Sequence, residues 1–180
     1  MFTVEEARRA SDEWGANCGP GALAGVLGLS LDAVRPHLRG FDQKRYTNPS
    51  MMRGALRSIG AQHDWRVVDL GADGIGWKWP VYGLARIQWC GPWNKPGVPI
   101  AASYRHTHWI GVRTGEQDRR TGERPVEILD INCICVGGWV SLDEWSTNVV
   151  PWLLKQCEPK ATGDWYATHV IEVSQQRSNP

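Results

Sequence analysis

Apolar residues recur at helical spacing through the first third of the chain, and from about Gln62 onward they alternate instead, as they do in strands. Thr3-Val4-Glu5-Glu6 is a capping box that predicts a helix from Val4 to about Trp14, with Val4, Ala7 and Ala10 on its apolar side. A second helix should start in Asn17-Cys18-Gly19-Pro20. Proline is tolerated there because the N–H groups of a first helical turn have no partner anyway. Ala22, Leu23, Val26 and Leu27 supply its apolar stripe and Gly28 closes it. Ser30 opens a short third helix that holds or is shortened by Pro36 and ends at Gly40. Asn48-Pro49-Ser50 caps a fourth, with Met51, Met52, Ala55, Leu56 and Ile59 buried and Gly60 as the stop.

The alternating part predicts strands at Trp65–Asp69, Val81–Trp89, Ser103–Val112 and Val126–Ile131, separated by the Gly- and Trp-rich loop Gly71–Pro80 and the Pro-rich loop Cys90–Pro99. Gly115–Arg124 is charged and turn-like, so the last two strands should pair as an antiparallel hairpin with an exposed tip. Ile134–Val140 reads as another short strand. Ser141-Leu142-Asp143-Glu144 is a second capping box, and the helix it starts should be interrupted or ended near Pro151, with Trp145, Val149 and Leu153 or Leu154 facing inward. Trp165–Val173 completes the sheet and 174–180 is a polar, frayed tail. Helices first and an antiparallel sheet second is an α+β arrangement, and 1–173 is the right length for one domain.

Composition narrows the function classes. The net charge is +1 and no long basic run occurs, so the electrostatic footprint of a nucleic-acid binder is missing. No apolar run approaches the roughly 18 residues of a membrane span. Five cysteines, an odd number, behind a charged start argue against a disulfide framework and for a cytoplasmic protein. Cys133 and Cys135 are too closely spaced for a zinc hook and have no second pair, so neither a metal nor a cofactor is expected. Gly71–Gly76 precedes no plausible helix and is not read as a phosphate loop. Tryptophan is the outlier, with 11 residues against two Phe. Most should anchor the core and loops, while a few, with Trp14 and Trp109 the candidates, would line a groove for a peptide.

The candidate chemistry starts at Cys18. A helix start carries unpaired N–H groups and about half a positive charge, which favours a thiolate and supplies oxyanion donors. A thiol nucleophile needs a base, and the base needs a group that holds its ring. His108 lies early in the Ser103–Val112 strand and Asp130 late in the next, so an antiparallel hairpin brings them to the same edge of the sheet. His106, expected on the same strand face, is the competing base, and Asp130 has an alternative use in a strand-end turn with Asn132 making Asx-type bonds.

Asn-Cys-Gly-Pro, then His-Trp-Ile-Gly-Val, then Leu-Asp-Ile-Asn followed by Gly137-Gly138-Trp139 and a closing helix, resembles the papain-like cysteine peptidases, in particular the small bacterial group that includes the bacteriocin-leader-processing peptidases. The likeness spans roughly residues 12 to 155. It implies a papain-like fold, with Cys18 as nucleophile, His108 as general base and then acid, Asp130 as the residue fixing the imidazole, and the Cys18 N–H as one oxyanion donor. The family's second donor is usually a glutamine six residues before the cysteine, where this chain has Asp12; Asn17 or Gln88 are the candidates to replace it. The resulting expectation is a cysteine hydrolase, a peptidase, isopeptidase or amidase acting on a peptide or protein through a thioester. The alternative is a binding or inhibitory module that kept the fold and lost turnover, such as a phage or mobile-element accessory protein.

Overall fold

The first helix forms where its capping box predicts. Thr3 Oγ1 accepts from the Glu6 N–H, the Glu6 carboxylate accepts from the Thr3 N–H, and α1 (Val4–Trp14) ends on Gly15 in the left-handed conformation. The structure, a computed structural model, describes residues 2–15, 17–68, 78–104, 106–136, 138–157 and 159–174. Next come α2 (Cys18–Leu27), α3 (Leu31–Val34), a 3₁₀ turn at Arg35–His37 that takes in Pro36, α4 (Phe41–Lys44) and α5 (Pro49–Ile59). Asn48 Oδ1 caps α5 on the Met51 N–H, as its Asn-Pro start predicts.

Six antiparallel strands follow: β1 (His63–Val67), β2 (Tyr82–Trp89), β3 (Thr107–Thr114), β4 (Val126–Leu129), β5 (Trp139–Ser141) and β6 (Trp165–Val173). They lie in the order β1-β6-β2-β3-β4-β5. The chain is α+β. Helices α1 to α5 cover one face of the sheet, around Leu84, Trp109, Ile171 and Val173. The other face, with Ala85, Ile87, Trp89, Ile110, Val112 and Ile128, is covered by Trp145 and Val150 of the last helical stretch. Neighbouring residues such as Trp109 and Ile110 fall in different clusters, as the two-residue period of a strand requires. Among the described residues no helix is long and apolar enough to cross a membrane.

Helix α2 is buried on all sides rather than along one stripe, with every residue from Gly19 to Val26 inaccessible. Its glycines let it lie directly on the sheet. A Cβ on Gly25 would collide with Leu129, and one on Gly21 with Ile131; from the sheet side, one on Gly111 would press on Val26. The close approach fixes the height of the helix start above the strands, and Cys18 with it.

Several expected boundaries move. β1 starts two residues early, at His63 instead of Trp65. The expected strand over Ser103–Val112 is shortened at its front. A single helical turn, α6 (Ile100–Ser103), follows Pro99, and His106 takes φ 51°, a left-handed conformation that turns the chain into β3. His106 therefore lies outside the strand and does not share a face with His108. β4 ends at Leu129, and Ile131–Val136 winds into a 3₁₀ helix where a strand was expected to begin. The closing helix runs through Pro151: α7 (Leu142–Glu144), a widened π-type turn at Trp145–Val149 and α8 (Val150–Leu154) are continuous. The widened turn changes the local hydrogen-bond ladder just where proline contributes no N–H.

In β6 the pairing with β2 shifts between Arg86 and Ile87, leaving Thr168 as a bulge. The shift turns strict alternation over to the other face: Ala167 joins one cluster, and Ile171 and Val173 the other. The hairpin of β3 and β4 forms as expected, with Gly111 opposite Leu129 and Thr114 opposite Val126, and its tip is exposed. Asp69, Gly71–Gly76 and the 175–180 part of the tail lie outside the described residues.

Candidate active site

Cys18 opens α2 and is half-buried, with Asn17 at the N-cap and the backbone N–H groups of the first turn around it. Gly19 follows it because Thr47 lies where a side chain would be. His108 is the second residue of β3, and its side chain points to the opposite face of the sheet from α2, so thiol and imidazole meet where β3 begins. His108 is close enough for its charge and its ring nitrogen to act on the thiol, and the Trp109 backbone N–H also bears on the sulfur.

His108 Nε2 lies 2.7 Å from Asp130 Oδ2, which leaves Nδ1 for the sulfur. Asp130 is fully buried just beyond β4. Its Oδ2 also accepts from the Trp145 indole at 2.9 Å, and its Oδ1 accepts from the Asn132 backbone N–H at 2.9 Å and the Asn132 side-chain amide at 2.7 Å. The strand-end turn and the contact with His108 coexist at Asp130. The Asx-type turn with Asn132 occupies one oxygen and aims the other at the imidazole. Trp89 stacks on His108 with ring centroids 5.9 Å apart and on Trp145 at 6.1 Å, closing the cluster on its core side.

Electrostatics within the cluster favour an ion pair. Burial by itself would raise the Cys18 thiol, but the His108 charge, the His108 hydrogen bond and the Trp109 N–H outweigh it, against a smaller opposing effect of Asp130, and the net shift is downward. Burial would lower His108, yet the charges of Asp130 and Cys18 and its hydrogen bonds to both push it up to about 10. Asp130 is raised by burial and lowered more by the His108 charge and by the hydrogen bonds from His108, Trp145 and Asn132, so it stays ionised below the usual carboxylate range. Both shifts favour a thiolate beside an imidazolium whose far side is held by a carboxylate. That arrangement suits nucleophilic attack by sulfur and proton return by the ring.

Cys18, His108 and Asp130 are thus brought together, and His106 is not among them. His106 packs its ring on Trp93, 4.4 Å between centroids. Of the candidate oxyanion residues, Asn17 sits beside the thiol but makes no capping hydrogen bond with its side chain. Gln88 is buried on the helix-covered face of β2 and donates to the Trp89 carbonyl at 3.0 Å. Asp12 is exposed on α1. The groove expectation for Trp14 and Trp109 is corrected. Trp14 is core, edge-on to Phe41 and beneath Arg35, and Trp109 is core with its indole donating to the Thr47 carbonyl at 2.8 Å. Among the described residues no cluster of His, Cys, Asp or Glu could hold a metal.

Three residues in or beside this cluster are not marked as such by the hydrophobic pattern. The pattern marks Trp145 only as inward-facing and Trp89 only as a strand end, while for Arg86 the one signal is a charge inside the apolar run Leu84-Ala85-Arg86-Ile87. The chain matches no family model and no curated protein matches it, so the reading of this site rests on its own geometry.

Proposed function

We propose that the chain is a cysteine hydrolase of papain-like architecture, cleaving an amide or related acyl bond of a peptide or protein. The observation that carries this reading is the convergence of Cys18, at the start of a buried helix, with His108, whose Nε2 is held 2.7 Å from Asp130 Oδ2 and whose charge acts on the thiol. The helix-then-antiparallel-sheet layout and the chain order Cys, His, Asp support it.

The Cys18 thiolate attacks the scissile carbonyl, and the oxyanion that develops is met by the Cys18 backbone N–H at the helix start. His108 gives the Nδ1 proton to the departing amine, leaving a thioester on Cys18. The ring, now neutral, then takes a proton from water, which attacks the thioester and releases the acid with Cys18 as the leaving group. Asp130 keeps Nε2–H engaged throughout, so the nitrogen nearer the sulfur is the one that exchanges protons.

Alkylation of the intact protein by iodoacetamide, followed by mass mapping from about pH 5 to pH 9, tests the reading. Cys18 should react well below the free-thiol range of about 8.5 and ahead of Cys90, Cys133 and Cys157. Ordinary thiol behaviour at Cys18 would instead favour a module that binds without turnover.

A further inference from the structure

A cavity of about 700 Å³ opens beside the candidate site, between the helix-covered face of the sheet and the link into α5. Thr47, Arg86, Tyr104, His106, Thr107 and His169 line it. Two of these tie it to the reactive cluster. Thr47 packs against Gly19, next to Cys18, and Thr107 immediately precedes His108.

Arg86 is the unusual member. Its residue is only 6% exposed, and among the described residues no carboxylate forms an ion pair with it. Nη1 donates to Thr168 Oγ1 at 3.3 Å and Nη2 to Thr107 Oγ1 at 3.2 Å, while Nε is buried with no partner. Two hydroxyls do not use up a guanidinium's donors or balance its charge. The Tyr104 ring lies 5.4 Å away, over the guanidinium. The groups facing it include His169, which burial and the Arg86 charge hold down at about 4, so no second cation is added at neutral pH. Arg86 is itself lowered by burial and raised by the charges of Tyr104, Cys18 and Tyr166, so it lies within electrostatic reach of the nucleophile. A buried, carboxylate-free arginine in a cavity is costly unless an anion completes it.

We propose that this cavity is a substrate subsite for a carboxylate, held by the Arg86 guanidinium, so that the bond cleaved at Cys18 lies near an acidic side chain or a free C-terminus. The proposal rests on the cysteine-hydrolase reading and adds the substrate class to it. A carboxylate matches the planar fork of a guanidinium with two parallel hydrogen bonds, which an amide of the same shape cannot do.

Matched probes on the full chain decide it. For an acidic side chain, inactivation rates are compared for acetyl-Ala-Glu-Gly and acetyl-Ala-Gln-Gly vinyl sulfones, and for acetyl-Glu-Ala-Gly and acetyl-Gln-Ala-Gly vinyl sulfones. For a C-terminus, protection of Cys18 from iodoacetamide is compared for trialanine and trialaninamide. The acid form should win by about tenfold or more in one arm, which identifies the source of the carboxylate. That ratio should fall to about one in Arg86→Gln. Arg86→Lys, which keeps the buried charge but loses the fork, should lower it in part and carries the comparison if Arg86→Gln does not fold. Equal rates for acid and amide in both arms, with Cys18 still reacting fast at low pH, would overturn the subsite and leave the hydrolase reading standing. An acid preference undiminished in the folded Arg86 variants would overturn the role of Arg86. Slow, ordinary Cys18 chemistry with every probe would remove the hydrolase reading and the subsite together.

Discussion

Two histidines on this sheet meet opposite fates. His108, on β3, faces a buried carboxylate and a thiol and is pushed up to about 10; His169, on β6, is half-buried beside Arg86 and Trp65 and is held down at about 4. Burial lowers both. What separates them is the sign of the nearest charge: Asp130 for one, a guanidinium for the other. The comparison teaches that one fold keeps a cationic ring and a neutral ring within a few strands of each other, each suited to its neighbour. Proton NMR of the ring carbons should show His108 titrating near the top of the alkaline range and His169 well below neutrality. Interchanged or near-normal values would break the contrast.

The largest expected effect comes from removing the sulfur. Cys18→Ser should lose vinyl-sulfone labelling entirely and lower turnover of any peptide substrate by about 10⁴-fold or more, with the fold retained by circular dichroism. Next, His108→Ala removes the positive partner and leaves the raising effects of burial and Asp130 opposed only by the Trp109 N–H, so the Cys18 thiol should climb to or above the free-thiol range of about 8.5. Because a lowered thiol pKa gives thiolate at acid pH and the loss of that shift takes it away, alkylation near pH 6 should fall by about 10²-fold and recover above pH 9. A third variant, Asp130→Asn, strips the carboxylate charge from beside the imidazolium. It should cost about 3 kcal/mol in urea unfolding at neutral pH, because a buried cation is left without its counter-ion, and the His108 titration should move down. Trp145→Phe keeps the packing but deletes one donor to Asp130 Oδ2, and should cost about 1 to 2 kcal/mol with only a small change in Cys18 alkylation. Smallest of all, His169→Gln should leave the pH profile of Cys18 alkylation in place. A shift of that profile would mean the two histidines are coupled rather than independent.

Much of this arrangement was legible because local chemistry and tertiary need agree. Thr3 and Glu6 cap α1 whatever lies above it, Asn48-Pro49 starts α5, and the charged run after β3 forces a hairpin whose register brings Asp130 towards His108. Other features depend on contacts that no short window contains. The left-handed turn at His106, the Thr168 bulge that exchanges sheet faces and the 3₁₀ winding after Asp130 are set by where the chain must go next. The role of Trp145 was hidden for the same reason. Its apolar ring marks it as core, while its single N–H is directed by a carboxylate 15 positions away that only the folded chain brings within reach. Arg86 was hidden by its strand, since period and propensity describe backbone and say nothing of a missing counter-ion.

The groups that lower the Cys18 thiol, His108 and the Trp109 N–H, lie roughly ninety positions further along the chain. A polypeptide emerging from the ribosome therefore presents Cys18 long before anything can arm it. Without His108 beside it, that sulfur lacks the neighbour that lowers its pKa and should behave as an ordinary thiol. If Cys18 is the nucleophile proposed, fast capture by an electrophile at acid pH should therefore count only molecules in which β3 has docked against the start of α2.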